Sequence, residues 1–389
     1  MGDAVMKQVK RKPVSEIAQI VMGQSPSSDS YNESGEGVPF FQGKADFGDV
    51  YPKKRVYCTA PQKMAEAGDI LMSVRAPIGD VNLAREKCCI GRGLAAIRAN
   101  DDMDAKYLFY VLQHYKDRLA YLGTGTTFKA ISREILREFV IPICDVTQQK
   151  KIADFLDTLH GLIKNRQRVL TLLDELVRSR FVEMFGDPQS PDNNNKKYAM
   201  TEICTIIDGD RGKQYPKAED FSETGYCLFL NAKNVTASGF NFDSQMFISR
   251  EKDMQLRKGK LSRGDVVLTT RGTIGNIAIY DENVPFENVR INSGMVILRM
   301  DANFLIRDFF VQQFRMNLPS ILEQIASGTA QPQLPISSMN RIEMIVPPMK
   351  LQTQFATFVH QVDATKKSVQ AQLDSLTTLR AKMMQDFFG

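Results

Sequence analysis

The chain has no uninterrupted apolar run of eighteen residues, only three histidines, and six cysteines that form no C-x-x-C pair. The first absence excludes a helix that crosses a membrane. His114, His160 and His360 stand apart from one another and from Cys58, Cys88, Cys89, Cys144, Cys204 and Cys227, so the spacing of a zinc site or a redox pair is missing and no metal is expected. An apolar leader is missing as well: Met1 is followed by a polar stretch with Lys7, Lys10, Arg11 and Lys12, and the expected compartment is the cytoplasm. Charge of one sign is scarce. Fifty basic residues face 45 acidic ones, and a net charge of +5 permits an anionic partner without requiring one.

Cofactor loops are lacking too. The tract Gly123-Thr124-Gly125-Thr126-Thr127-Phe128 misses the last glycine of a dinucleotide-binding turn. Gly37 to Lys44 imitates a phosphate loop, but five residues separate the glycines and Ala45 stands where a magnesium-binding hydroxyl belongs. No histidine lies beside a plausible nucleophile, so nucleophilic catalysis has no support and a non-enzymatic chain is expected. What is present is ordinary for a folded soluble protein: 389 residues, 43% hydrophobic, 24% charged, with 25 glycines and 16 prolines. Disorder, collagen and a disulfide-dense miniature are excluded, and the length suits two or three globular units.

The chain repeats itself. Gly68-Asp69-Ile70-Leu71-Met72-Ser73-Val74-Arg75-Ala76-Pro77-Ile78-Gly79 matches Gly264-Asp265-Val266-Val267-Leu268-Thr269-Thr270-Arg271-Gly272-Thr273-Ile274-Gly275 without a gap, at an offset of 196. Glu16-Ile17 pairs with Glu202-Ile203, Gln42-Gly43-Lys44 with Asn231-Ala232-Lys233, and Ile90-Gly91-Arg92-Gly93-Leu94 with Ile291-Asn292-Ser293-Gly294-Met295. Gly123-Thr124 and Ile131-Ser132 answer Gly328-Thr329 and Ile336-Ser337, so the offset grows from 186 to 205 as loop insertions between two copies of one fold would make it.

Each copy opens with short β-branched runs punctuated by Gly, Pro and Asn, such as Ile70 to Val74 and Val266 to Thr270, which read as a mixed α/β domain. After Ile141-Pro142 and Val346-Pro347-Pro348 the period changes. From Thr147 to Phe185 there is no proline and one glycine, and apolar residues recur at Ile152, Leu156, Leu159, Ile163, Leu170, Leu173, Val177 and Met184, with Arg166 and Arg180 interrupting the seam. The second copy repeats the pattern at Phe355, Val359, Val362, Val369, Leu373, Leu376, Met383 and Phe387. A helix of about 38 residues spans ~57 Å. The fold class expected is therefore α/β (α+β): two mixed domains, 1–146 and 198–348, at opposite ends of an antiparallel two-helix coiled coil formed by 147–186 and 349–389, with a linker at 187–197 and a pseudo-two-fold internal repeat.

Polar side chains on glycine-flanked loops occupy matching places in both copies. Lys44 and Lys233, Arg75 and Arg271, Arg92 and Asn292, and the tract Thr126-Thr127-Phe128-Lys129 against Gln331-Pro332-Gln333 are residue types that contact phosphates or read base edges. Arg211, Lys213 and Tyr215 in the opening loop of the second copy, with Asn234 and Thr273, complete the DNA-binding candidates. An alternative role for Arg75 and Arg271 is structural, as partners of the nearby Asp69 and Asp265.

Several tracts together resemble the specificity subunit of type I restriction-modification systems. These are the G-D-[IV]-hydrophobic-x-[ST]-x-R-x-x-I-G tract in both copies, Asp208-Gly209-Asp210-Arg211-Gly212-Lys213-x-Tyr215-Pro216, the Gly-Thr-x6-[IL]-Ser tract, and Q-Q-K-K-I-A-D-F-L-D leading into a helix that ends Phe185-Gly186-Asp187-Pro188. The second junction, Met349-Lys350-Leu351-Gln352-Thr353-Gln354, is a looser version, and Asp157 becomes His360. The resemblance implies that each globular part is a target-recognition domain for one half of a split, asymmetric duplex DNA site. It implies that the helices set the spacer and dock methyltransferase subunits, two of them, with restriction subunits in the full complex. It further implies that S-adenosylmethionine, ATP and Mg belong to those partners and no cofactor to this chain. Alternatives are the same subunit beside a fused methyltransferase-nuclease, as in type IIB systems, and a tandem coiled-coil scaffold without nucleic acid.

Overall fold

The structure, a computed structural model, describes residues 10–125, 129–190, 192–326 and 333–389. It divides into two compact units. The first comprises Met1–Arg168 with Gln370–Gly389, and the second Val169–Val369.

In the first unit, β1 (Ala18–Met22), β2 (Ile70–Ser73), β3 (Val81–Leu83) and β4 (Leu94–Ala99) form an antiparallel sheet in the order β1-β4-β2-β3. Ile70 faces Ile97 and Met72 faces Ala95 across the ladder. These strands carry continuous apolar runs because both faces are covered: Ile70, Leu71, Met72, Ala95, Ala96 and Ile97 are all fully buried. The helix α1 (Ala105–His114) lies on one face; its N-cap Asp104 accepts from the Tyr107 amide. A second sheet has a parallel pair at its centre, Val38–Phe41 beside Cys88–Ile90 with Phe40 against Cys89. Lys10–Pro13 pairs with Val140–Ile143 and closes the unit.

The long helix α2 (Val146–Phe185) begins in this first unit and ends in the second. There β5 (Cys204–Asp208), β6 (Val266–Thr269), β7 (Ile277–Ile279) and β8 (Met295–Met300) repeat the first sheet in the same topology, β5-β8-β6-β7, all antiparallel. The parallel pair recurs as Cys227–Phe229 beside Val289–Arg290, and the closing pair as Lys197–Ala199 with Glu343–Ile345. The helix α3 (Arg307–Ala326) takes the place of α1, and α4 (Met349–Phe388) answers α2. The duplication read from the sequence is thus a duplication of sheet order and register.

Within the first unit, the start of α2 packs against the end of α4: Ile152, Leu156, Met384 and Phe388 share one core, and Arg166 donates to Gln372 at 2.7 Å. Within the second, the end of α2 packs against the start of α4, where Lys366 pairs with Asp174 at 2.5 Å. The two helix segments therefore run antiparallel inside each unit. The expected apolar seam gains two residues. Beyond Val177 it passes chiefly through Phe181 and Phe185, which are fully or nearly buried, while Met184 is partly buried against the same core. Phe181 stacks on Phe309 at 5.3 Å and meets Phe355 edge-on at 5.4 Å. Ring area decides the register, since a buried phenylalanine contributes about 1.5–3 kcal/mol and each ring pair a further ~0.5–1.5 kcal/mol.

A glutamine ties each long helix to its domain. Gln149 Oε1 accepts from the Asp104 amide at 2.8 Å while its Nε2 donates to the Cys144 carbonyl at 2.8 Å. Gln352 does the same, accepting from the Ile306 amide at 2.8 Å and donating to the Pro347 carbonyl at 2.8 Å. Both are buried, at 2% and 0% exposure. The second junction, looser in sequence, keeps this docking glutamine. The change of Asp157 to His360 is compensated as well. Asp157 takes Lys106 of α1 at 2.5 Å, and His360 takes Asp308 of α3 at 3.2 Å, so acid and base have exchanged helices.

Candidate nucleic-acid interface

The candidate residues belong to loops that meet at one edge of each repeated sheet. In the first unit the loop after β1 folds over the turn before β4: the Gly23 amide donates to the Leu94 carbonyl and Gln24 to Ile90. A Cβ on Gly23 would sit 2.2 Å from the Gly91 carbonyl oxygen, so only glycine permits this approach. In the second unit a Cβ on Gly209 would sit 2.2 Å from the Asn292 carbonyl oxygen. The loop after β2 joins the same edge, Val74 donating to the Gly93 carbonyl at 2.9 Å and Thr270 to the Gly294 carbonyl at 2.8 Å. A third strand of chain is added by the bridges of Arg75 with Ala130 and Arg271 with Gln333.

Most of the candidate residues lie on these edges. In the first unit Arg75, Arg92 and Lys129 are exposed there, the Arg92 amide donating to Ser25 Oγ and the Lys129 carbonyl accepting from Ala76. In the second, Arg211 donates to Asp208 at 3.1 Å and to the Ser293 carbonyl at 3.3 Å, and Tyr215 Oη accepts from the Ser293 amide at 3.4 Å. Lys213 and Thr273 are exposed, and Asn292 accepts from the Gly294 amide to hold its turn. Arg271 Nε donates to Gln333 Oε1 at 3.2 Å. Asp208, Arg211, Arg271, Gln333 and Leu334 line an open hollow of about 260 Å³. Thr126, Thr127 and Gln331 lie outside the described residues.

Three expectations are revised. Arg75 and Arg271 do not pair with Asp69 and Asp265; those buried carboxylates take Arg98 and Arg299 of the neighbouring strand through two bonds each, at 2.7–2.8 Å. The loop arginines are not tied up by these two carboxylates. Asn234 is not available to DNA. It is fully buried, its Oδ1 accepting from the Asn231 amide and its Nδ2 donating to the Asn241 and Ser244 carbonyls, so it shapes the loop that displays Lys233. Arg92 and Asn292 share a loop but not a position, because Gly91 and Gly93 superpose in role on Asn292 and Gly294.

The two loop lysines also differ. Lys44 pairs with Asp80 at 2.8 Å, a carboxylate it shares with Lys116 at 2.6 Å. Burial alone would raise the Asp80 pKa, but the two ammonium groups outweigh it and hold the carboxyl below its usual range. Lys233 engages Asn231 only through its backbone amide, and its exposed side chain has no ion pair among the described residues. Nothing in the sequence marks Lys116 and Asp80, because they meet a candidate residue only through this contact. Among the described residues there is no group of three or more His, Cys, Asp and Glu side chains placed to hold a metal, and no helix is long and apolar enough to cross a membrane.

Two like domains that gather basic and amide side chains on matched loop edges define a duplicated DNA-specificity protein. The type I restriction modification DNA specificity domain matches residues 6–172 and again residues 192–378, and the chain belongs to that family. It is 48% identical over 151 residues to the putative type I restriction enzyme MjaX specificity subunit of Methanocaldococcus jannaschii, a match that covers 39% of this chain and 36% of that relative. The chain thus spans about a third of that relative's length. It is 22% identical over 397 residues to the type I restriction enzyme MjaIX specificity subunit of the same organism, covering 96% and 91% of the two chains. The type I restriction enzyme EcoBI specificity subunit of Escherichia coli is 19% identical over 390 residues, covering 92% and 80%. The crystal structure of the type I restriction-modification S subunit from M. genitalium shares the fold over 100% of this chain and 98% of its own, with a TM-score of 0.66 at 18% identity. A structure described for complex assembly and conformational transition of the type I R-M system matches 98% of this chain and 99% of its own, with a TM-score of 0.58 at 15% identity.

Proposed function

We propose that the chain is the non-catalytic specificity subunit of a type I restriction-modification complex, and that each repeated domain reads one half of a split, asymmetric duplex target. The observation that carries this is the pair of matched loop edges: Arg75, Arg92 and Lys129 in one copy, Arg211, Lys213, Arg271 and Gln333 in the other. Identical folds with different side chains at those edges give two half-sites of different sequence. The helices α2 and α4 set the gap between half-sites and dock two methyltransferase subunits, and restriction subunits join the full complex. S-adenosylmethionine, ATP and Mg chemistry belongs to those partners, and the isolated chain turns over none of them.

Sequencing the modified bases of cells that carry this chain with its methyltransferase reports the target directly. A split motif with unlike halves is expected. In solution, binding to target duplex should weaken steeply between two salt concentrations, since phosphate contacts release counterions; salt-independent or absent binding by the assembled complex refutes the reading.

A further inference from the structure

Among the candidate contacts, one arginine is held in place by a neutral side chain. Arg271 is exposed, its backbone is tied to the Gly294 carbonyl and bridged to Gln333, and its Nε donates to Gln333 Oε1 at 3.2 Å. The guanidinium is thereby oriented without the opposing negative charge that Asp208 places beside Arg211. The matching Arg75 bridges Ala130, which has no side-chain amide to offer. That contact uses Arg271 Nε and the glutamine Oε1; the polar atoms it leaves over, Nη1, Nη2 and the glutamine Nε2, are all donors.

That donor set selects among bases. Guanine presents two adjacent acceptors, O6 and N7, in the major groove; adenine presents one acceptor beside the N6 donor, and cytosine presents a donor. A glutamine reads adenine by donating and accepting at once; here one of the two lone pairs of Oε1 is already taken by Arg271, and the guanidinium adds donors only. Resting on the DNA-reading function above, we infer that Arg271, oriented by Gln333, is the base-reading residue of the second domain and that it reads a guanine in that domain's half-site. Gln333 acts as a positioning residue. A phosphate would accept the same donors without regard to sequence, so the experiment must separate the two.

The full chain, assembled with its methyltransferase subunits, is selected against duplexes randomised in both half-sites. The wild type should require a guanine at one position or more of one half-site. Arg271→Lys keeps the charge and loses the fork, and should reduce the preference for one guanine by roughly 10- to 100-fold, the span of a bidentate contact, leaving the other positions as they are. Gln333→Ala should reduce the same preference several-fold, with an unchanged salt slope. The half-site read by the first domain is the internal control for folding in each variant. A guanine preference that survives Arg271→Ala removes Arg271 from base reading, and a loss spread evenly over every position with a smaller salt slope in that variant assigns it to phosphate; either result overturns the inference alone. A wild-type complex that selects no sequence overturns the DNA-reading function and this inference together.

Discussion

Asn234 and Lys233 are neighbours with opposite duties. Asn234→Ala leaves two carbonyls and one amide of the loop without partners inside the fold, at about 1–3 kcal/mol, and should lower the thermal midpoint of the second domain. Lys233→Ala should leave that midpoint unchanged, weaken DNA binding for all sequences alike, and flatten its salt dependence by one phosphate contact. If Lys233→Ala binds with wild-type salt slope, the lysine contacts no phosphate. Composition could not separate the two residues, because burial is a property of the folded loop. The same limit applies to Asp69 and Asp265. Each lies six residues from a loop arginine in the chain, yet strand pairing brings Arg98 and Arg299 alongside.

Asp253 offers a pH test at this scale. It is 2% exposed and accepts from Lys260 at 2.6 Å and from Arg290 at 2.5 Å. Burial would raise its pKa, but these two cations outweigh that and hold it below the ordinary carboxylate value. A depressed folded pKa adds stability above the unfolded value, near 4, that is lost as pH falls through the folded one. Asp253→Asn leaves Arg290 buried without its counter-charge and should cost on the order of 3–5 kcal/mol at neutral pH. Urea unfolding between about pH 6 and 2 should show a flatter acid limb in the variant; parallel curves would remove Asp253 from the acid response.

At the scale of elements, the two long helices were legible because nothing in them breaks a helix and their apolar spacing alternates four and three. Their seam was legible only in part. Phe181 and Phe185 are four apart and fill the core beside Phe309 and Phe355, with Met184 only partly buried against it, and ranking the three requires knowing what stands opposite. The docking glutamines carry the clearer lesson. Gln149 and Gln352 are separated by 203 residues, the offset of the helices themselves, and the repeat marked them while their polar character hid their burial. Gln149→Ala and Gln352→Ala should each cost about 1–3 kcal/mol and raise hydrogen exchange at the Asp104 and Ile306 amides respectively. Unchanged protection at those amides in both variants would show that the glutamines do not hold the helix starts.

At the scale of the whole molecule, the globular segments of the sequence are not the compact units of the fold. The first unit takes in residues 370–389, where Phe388 is buried against Tyr107 at 5.4 Å and its carbonyl accepts from Tyr115 Oη at 2.5 Å. Linear boundaries hide this, since the closing segment lies more than 200 residues from the domain it completes. Two chimaeras made with another specificity subunit test it. Exchanging residues 10–168 alone leaves a foreign pocket around Phe388 and should lower stability on the order of 3–5 kcal/mol, the cost of losing a buried phenylalanine. Exchanging 10–168 together with 370–389 should restore the midpoint. In the second chimaera, base-modification sequencing with the partner methyltransferase should show one half-site replaced and the other retained. Equal midpoints in the two chimaeras would exclude the tail from the unit. A folded second chimaera that changes both half-sites, or neither, would mean that the two domains do not read independently.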